Sequence, residues 1–295
     1  MTHTDDATLS DPQILEQLQS RPPVSVTVIR PSRGWVPINF RELWHYRELL
    51  FFLTWRDLKV RYKQTALGAL WAIIQPVMTM AVFSLFFGRL AKVPSDGIPY
   101  PLFALSGLIP WQLFAYALTQ SSNSIVANKN LVSKVYFPRL IVPLAAVLSG
   151  LVDFSIAFVV LLVMFVIYGF IPSPALVMIP LAIILTIFSA LAVGLWLSAL
   201  NVRYRDVQYT IPFLTQFWMF LTPIAYPASL IPAQFRMVYG LNPMAGVVEC
   251  FRWGLFGQRA GSLSLIGLSS FMVLLAFFGG LAYFRRVEKT FADLA

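Results

Sequence analysis

Three cations in one short stretch have the type and spacing needed to hold an anionic group at a membrane surface. Arg56, Lys59 and Lys63 follow one another at intervals that place them on one flank of a helix over 51–63. The adjacent face of that helix is apolar and carries Phe51, Trp55, Leu58 and Tyr62. Such a helix lies along a membrane, with its rings in the interface and its cations at the headgroups. The alternative is a positively charged stop before the first membrane span.

Asp153 is the only ionisable side chain near the middle of a predicted span. A carboxylate at that depth costs about 2.5–3.5 kcal/mol, so it needs a partner. One interpretation is a proton carrier, although such carriers use several acidic groups in series. We favour a hydrogen bond between helices, to the polar run 119–124. That run includes Gln120 and Asn123, and because it is costly against lipid it faces either protein or a hydrated path.

Catalytic and metal-binding motifs are lacking. No lysine follows a glycine, which excludes a Walker A loop, and neither Gly-x-Ser-x-Gly nor His-Glu-x-x-His occurs. Cys250 is the only cysteine, and both histidines precede the membrane region. A membrane enzyme would need paired carboxylates, whereas Asp96, Asp206 and Glu249 are dispersed in sequence. We therefore predict no catalytic residue and no metal or cofactor bound by this chain.

The composition is that of a membrane protein. Hydrophobic residues make up 58% of the 295 residues and charged residues only 12%, about half the share in soluble domains. Only 14 of the charged residues lie between 64 and 284, so that region is mostly in lipid. The net charge of +9 comes from cations at the ends of apolar runs. This distribution argues against a nucleic-acid partner.

Six segments approach the ~20 apolar residues that a membrane-spanning helix needs. They are about 67–87, 102–126, 140–168, 176–200, 211–226 and 263–284. Prolines and glycines interrupt 228–262, which favours two short helices that dip into the membrane and return over a seventh span. We predict an all-α polytopic membrane protein. Its parts are an N-terminal tail (1–46), the interface helix (47–66), a six-span domain (67–284) and a C-terminal tail (285–295).

The lysines and arginines orient the spans. With the N-terminus in the cytoplasm, 13 of them flank the spans on the inner side and five on the outer side. This bias predicts that both termini are cytoplasmic.

Aromatic residues cluster in three regions of the predicted membrane domain. Membrane-interface belts and packing explain most of them, but some could stack on sugar rings. The candidates for a channel lining are Trp111, Phe114, Tyr116, Phe217 and Trp218. Those in the interrupted segment are Phe235, Tyr239, Phe251 and Trp253.

Five motifs together resemble a known family. They are WRDLKVRYKQ (55–64) running into LGALWAIIQP (67–76), KVYFPRL (134–140), NVRYRDV (201–207), LTPIAYP (221–227) and LNP (241–243). In this order, at the ends of six spans, they resemble the permease subunit of bacterial ABC transporters that export O-antigen, capsule or teichoic acid. The resemblance covers about residues 40–285.

The resemblance implies a homodimer in the cytoplasmic (inner) membrane, joined to two ATP-binding subunits that hold ATP and Mg. It implies export of a lipid-linked polysaccharide, with Arg56, Lys59 and Lys63 either holding anionic lipid or receiving the diphosphate of the lipid carrier. The loop 128–136 would dock on the ATPase, and 228–258 would form an outer gate. The docking residues are Asn128, Lys129, Lys134, Val135 and Tyr136. The alternatives are an ABC exporter of drugs or small lipids, and a membrane enzyme acting on lipid-linked sugars.

Overall fold

Helices account for all regular secondary structure in the part of the chain that the computed structural model describes, which is residues 40–63, 68–257, 263–288 and 291. The predicted N-terminal tail therefore lies outside the described residues up to residue 39. The α-helices are α1 (Phe40–His45), α2 (Arg47–Lys63), α3 (Gly68–Phe83), α4 (Tyr100–Ala127), α5 (Lys129–Lys134), α6 (Ile141–Ile167), α7 (Met178–Arg203), α8 (Val207–Phe220), α9 (Arg236–Gly240), α10 (Pro243–Phe256) and α11 (Leu263–Glu288).

Five helical stretches are long and apolar enough to cross a membrane. They are Leu70–Leu90, Tyr100–Ala127, Ile141–Ile167, Pro174–Arg203 and Leu263–Glu288. The first includes a π-helical extension of α3, Ser84–Leu90. The prediction of an all-α polytopic membrane protein is confirmed.

The fifth predicted span is shorter than expected. Helix α8 has 14 residues and ends at Phe220 instead of continuing to Tyr226. Its length is about 21 Å, less than the ~30 Å hydrocarbon core. Pro223 and Pro227 follow, and prolines do not continue a helix because they lack the N–H donor. The count of six spans stays a prediction.

Helix α4 is the centre of the bundle. In its apolar window 78% of the residues are buried, against 17% in Leu70–Leu90. It packs against α6 and α7 and also contacts α3, α8 and α10. Small side chains allow the close approach to α7: a Cβ added to Gly194 would lie 2.0 Å from the Ser121 hydroxyl. This is the packing that membrane helices use.

The interrupted segment forms two short helices, as predicted. Pro243 occupies the first position of α10, and the Asn242 side chain caps it by accepting from the Met244 N–H at 3.0 Å. Gly257, at φ +70°, ends it in the left-handed conformation that glycine favours. Eleven of the 14 residues of α10 are buried, among α4, α7 and α11. Protein thus surrounds this helix.

Candidate transport site

Helix α2 is joined to the membrane domain by an ion pair. The Arg61 guanidinium pairs with the Asp153 carboxylate of α6, and the Tyr62 hydroxyl donates a hydrogen bond to the same carboxylate. Burial and this hydrogen bond raise the pKa of Tyr62 to about 12, so the phenol stays protonated and remains a donor. We predicted the polar run 119–124 as the partner of Asp153, and this prediction was wrong. The sequence offered no signal of how close 61 and 153 lie.

The interface helix differs from the predicted amphipathic pattern. We expected Tyr62 on the same apolar face as Phe51 and Trp55, but Tyr62 turns to the protein because it bonds Asp153. Phe51 and Trp55 are exposed and stack on each other. Leu53 is the buried residue of this helix. Helix α2 packs along α6, so the protein as well as any lipid holds it.

The three predicted loading cations have different surroundings. Arg56 pairs with its neighbour Asp57 at 2.8 Å. The Lys59 ammonium lies 5.5 Å from the centroid of the Trp55 ring, a cation–π contact. Lys63 is exposed at the end of the helix. Both lysines are therefore exposed, with Lys59 beside the Trp55 ring, whereas the charge of Arg56 is already compensated.

Two cavities flank Arg61. The first, which we call the Asp153 cavity, has a volume of about 340 Å³ and is lined by residues of α2, α3, α4 and α6, among them Trp71, Gln75, Gln112 and Asp153. The second, the Asn123 cavity, measures about 460 Å³ and is lined by Asn123, Asn128 and residues of α2 and α6. Both share Arg61 and Tyr116, whose groups stack 4.0 Å apart. This stack separates the two spaces.

The polar run of α4 faces both protein and open space. Asn201 of α7 donates to the Asn123 side chain at 2.9 Å and to the Ser122 carbonyl at 3.2 Å. Gln120, Asn123 and Ser124 line the Asn123 cavity. The contact with protein is therefore observed, whereas a hydrated path along the side that lines the Asn123 cavity stays a prediction.

The loop 128–136 contains a short exposed helix and is held at both ends. Helix α5 places Lys129 and Lys134 on the surface, and Val135 and Tyr136, which follow it, are more than half exposed. Val132 and Phe137 are buried beneath it. Asn128 closes α4, where its side chain donates to the Ser124 carbonyl at 2.9 Å. The loop thus presents an exposed edge on a firmly anchored base.

The predicted channel aromatics separate into a buried and an exposed group. Trp111 and Phe114 lie in the core instead of on a surface, with Phe114 packed edge-on against Trp218 at 5.2 Å. Trp218 also donates to Asn242 at 2.9 Å. Phe217 is exposed and stacks on Phe213. Together with two further exposed rings, these form what we call the α8 aromatic stripe: Tyr209, Phe213, Phe217 and Phe220.

The predicted gate aromatics are likewise divided. Phe251 is wholly buried and meets the rings of Phe154 and Phe158 at 6.1 Å, so it packs the core and does not line a surface. The Tyr239 hydroxyl is hydrogen-bonded to that of Tyr226. Phe235 is exposed, and Trp253 is half-buried.

The sequence analysis missed a buried charged centre on α10. Arg252, which we counted among the outer cations, is buried. It donates to the carbonyls of Pro223 at 2.6 Å and Ile224 at 2.8 Å, and its guanidinium lies 3.7 Å from the Phe103 ring centroid. Glu249, one turn earlier, pairs with it at 3.7 Å. Opposite charges three residues apart in an apolar helix were the available signal.

This centre leaves little space for a substrate. Asp96 and Glu249, dispersed in sequence, both line one small cavity with Arg252, but its volume is about 10 Å³. That is room for about one water molecule. Among the residues that the structure describes, no group of three or more histidine, cysteine, aspartate or glutamate side chains could hold a metal ion.

Long apolar helices packed around α4 define a multi-pass membrane protein. The profile of the family described as "ABC-2 type transporter" matches residues 48–256. The chain therefore belongs to the ABC-2 type transporter family, which makes it a multi-pass protein of the inner membrane with a transport role rather than a catalytic one.

Curated relatives align over most of their length. The chain is 32% identical over 222 residues to the O-antigen export system permease protein RfbA of Myxococcus xanthus, covering 74% of this chain and 84% of the relative. It is 31% identical over 248 residues to a protein of the same name from Klebsiella pneumoniae, covering 84% and 95%. The polysialic acid transport protein KpsM of Escherichia coli is 26% identical over 236 residues, covering 79% and 91%.

Proposed function

We propose that this chain is the membrane-spanning subunit of an ABC transporter that exports a lipid-linked polysaccharide, such as an O-antigen, capsule or teichoic acid, across the inner membrane. The observation that carries the proposal is the alignment, over 84% and 95% of their lengths, with two permeases named for O-antigen export. A glycan is too polar to cross lipid, so its path must be walled by protein. The polar run of α4 and the α8 aromatic stripe are surfaces that could form such a wall.

The transporter would be a homodimer. The α8 aromatic stripe and most of Leu70–Leu90 are exposed in the single chain. In a membrane, lipid covers such apolar surface, and a second copy of the chain can cover the aromatic stripe. Two copies facing each other would enclose a path with rings along its wall, and rings stack on the apolar faces of sugars. In this arrangement Phe217 lines the path, while Trp111 and Phe114 support it from the core.

ATP hydrolysis would reside in two partner subunits that bind ATP and Mg, with no cofactor held by this chain. The lack of a Walker A loop agrees with this division. The exposed edge of α5, with Lys134, Val135 and Tyr136, is the surface we assign to the ATPase. Because Val132 and Phe137 anchor it in the core, a push on this edge would be transmitted to α4 and α6.

The exposed lysines of α2 would receive the anionic carrier. Lys59 and Lys63 are exposed on the helix that carries the exposed rings of Phe51 and Trp55, which suits a headgroup at the membrane interface. Arg56, already paired with Asp57, would contribute less. The outer segment 228–258, with Phe235 and Tyr239, would close the path on the far side.

Deletion of the gene tests the proposal directly. The mutant cell should lose its surface polysaccharide and accumulate the lipid-linked polymer on the cytoplasmic side, and the intact gene should restore export. Two alternatives are decided by the same experiment. Unchanged surface polysaccharide with altered drug resistance or lipid composition would indicate a drug or small-lipid exporter. Loss of polymer without cytoplasmic accumulation would indicate an enzyme that makes or modifies lipid-linked sugars.

A further inference from the structure

The Asp153 cavity lies between the first long helix and the centre of the bundle. It is formed by α3 on one side, α4 and α6 on the other, and the end of α2 at one edge. Its volume of about 340 Å³ is at the lower end of the ~300–1,000 Å³ typical of small-molecule sites. A single ring-sized ligand fits such a space, whereas a folded chain does not.

The cavity has no net charge to offer an anion. Its cation, Arg61, is paired with its carboxylate, Asp153. A phosphate would have to displace Asp153 from Arg61 and would then face that carboxylate across the cavity. The charge balance therefore favours an uncharged ligand. This separates the cavity from the exposed lysines of α2, which have no such compensation by a carboxylate in the described part of the chain.

Two amides in the cavity wall have unused hydrogen-bonding capacity. Within the described ranges, the side-chain amides of Gln75 and Gln112 make no hydrogen bond. Gln75 is exposed and Gln112 is half-buried, so both amides are accessible to a ligand. Each amide carries two donors and one acceptor carbonyl. A ligand with several hydroxyl groups would satisfy both.

One aromatic face is available next to these amides. Trp71 precedes Gln75 by one helical turn and its side chain is 55% exposed at the cavity. The Tyr116 ring, by contrast, is already covered by the Arg61 guanidinium, and its hydroxyl bonds Ser149 at 3.0 Å. The wall thus combines one open ring, two open amides and a carboxylate acceptor.

We propose that the Asp153 cavity binds one uncharged sugar unit, with its apolar face on Trp71 and its hydroxyls on Gln75, Gln112 and Asp153. The proposal rests on the proposed function, because it assigns a subsite to the polymer that this chain would export. The Asn123 cavity, on the other side of the Arg61–Tyr116 stack, reaches the cytoplasmic end of α4 at Asn128. A sugar unit admitted from the cytoplasmic side would therefore meet the polar side chains of the Asn123 cavity before it reaches the subsite.

Binding of simple glycosides to the full chain in lipid nanodiscs tests the proposal. The probes are methyl glycosides of glucose, mannose, galactose and N-acetylglucosamine, detected by saturation-transfer NMR. At least one should bind the native chain. Gln112→Leu and Trp71→Leu should each weaken that binding about tenfold, the effect of removing one good contact. The matched controls Gln208→Leu and Trp44→Leu remove an exposed amide and an exposed indole elsewhere and should leave binding unchanged.

Three results would overturn the assignment. They are no binding of any glycoside to the native chain, equal binding by the cavity variants and their controls, and preferential binding of inorganic pyrophosphate in competition with the glycosides. Because Trp71 is exposed, Trp71→Leu should fold, and its glycoside binding tests the proposal even if Gln112→Leu does not fold. Export, measured in the gene-deletion strain, is a readout that is independent of glycoside binding. Export without glycoside binding refutes only the subsite, whereas glycoside binding without polysaccharide export refutes the proposed function.

Discussion

Arg61 of α2 and Asp153 of α6 form an ion pair although 91 residues separate them in the chain. Each side chain is about one-third exposed, and Tyr62 donates to the same carboxylate. Asp153 lies about 18 Å along α6 from its first residue, so the pair fixes the end of α2 beside the middle of a membrane helix. The interface helix is therefore a packed part of the bundle.

Removing the carboxylate should loosen this attachment. Asp153→Asn keeps a hydrogen-bond acceptor for Tyr62 but leaves Arg61 without its charge partner. We expect a loss of about 1.5–3 kcal/mol, the range for hydrogen bonds to charged groups, seen as a lower unfolding temperature of the chain in nanodiscs. Asp57→Asn, which breaks the ion pair with Arg56 on the same helix, is the control and should have less effect. Equal stability of the two variants would contradict the role of the ion pair.

Arg252 should be among the least replaceable residues. Arg252→Met leaves Glu249 without its cation and the Pro223 and Ile224 carbonyls without their donor. Breaking a buried pair in this way costs about 3–5 kcal/mol. Arg252→Lys should not restore the stability of the native chain, since an ammonium lacks the planar fork that reaches both carbonyls. Denaturation of each variant measures the loss of stability, with Arg236→Lys as the control. An Arg252→Lys variant as stable as the native chain would refute the proposed role of the guanidinium.

The exposed edge of α5 should control coupling without affecting the fold. Alanine at Lys134, Val135 and Tyr136 together should leave the chain stable, because these side chains are exposed, but should abolish the link between ATP hydrolysis and export. The measurement is ATPase activity of the reconstituted complex beside export in cells.

A triple alanine variant on the other side of the membrane is the control for coupling. Tyr168, Ile171 and Val177 are similarly exposed between α6 and α7. Their replacement should leave coupling intact. Normal export by the α5 variant would show that the partner docks elsewhere.

The loading lysines predict an effect on the anionic carrier. Each lysine near an anionic surface contributes about 1 kcal/mol, so Lys59→Glu with Lys63→Glu should weaken carrier binding by roughly 30-fold or more. Export at equal protein level should fall, whereas Arg56→Gln should change it less because Arg56 is paired with Asp57. If the double variant inserts normally and exports at the native rate, these lysines only orient the chain in the membrane.

Two aromatic variants should separate stability from transport. Phe114→Ala removes a fully buried ring and should cost about 3–5 kcal/mol of stability. Phe217→Ala removes an exposed ring of the α8 aromatic stripe, so stability should hold while export of long polymer falls. Thermal unfolding and polymer length on the cell surface are the two measurements. A Phe217 variant with native export would exclude the stripe from the path.

Local patterns in the sequence were enough to predict the helices. Apolar runs of sufficient length identified the long helices, and the prolines and glycines of 228–262 marked the segment in which only short helices form. Helix α8 was predicted too long because an apolar run does not reveal where backbone hydrogen bonding stops before Pro223. Its six-residue extension to Tyr226 is irregular in the structure.

Side-chain partners could not be predicted in the same way. The sequence correctly predicted that Asp153 has a partner. It could not identify Arg61, because only the packing of α2 on α6 brings the two residues together. Trp111, Phe114 and Phe251 looked like surface rings because aromatic residues serve belts, paths and cores alike. Arg252 was counted as an outer cation because only the fold shows that α10 is surrounded by protein.

The small share of buried residues in the first long helix has a consequence for the membrane itself. Only 17% of its window is covered by its own chain, so hydrocarbon or a second copy of the chain covers the rest, and a change in bilayer thickness can change its tilt. Trp71 and Gln75 stand on that helix and form one wall of the Asp153 cavity. The proposed sugar binding in this cavity should therefore vary with acyl-chain length and with the lipid composition of the membrane.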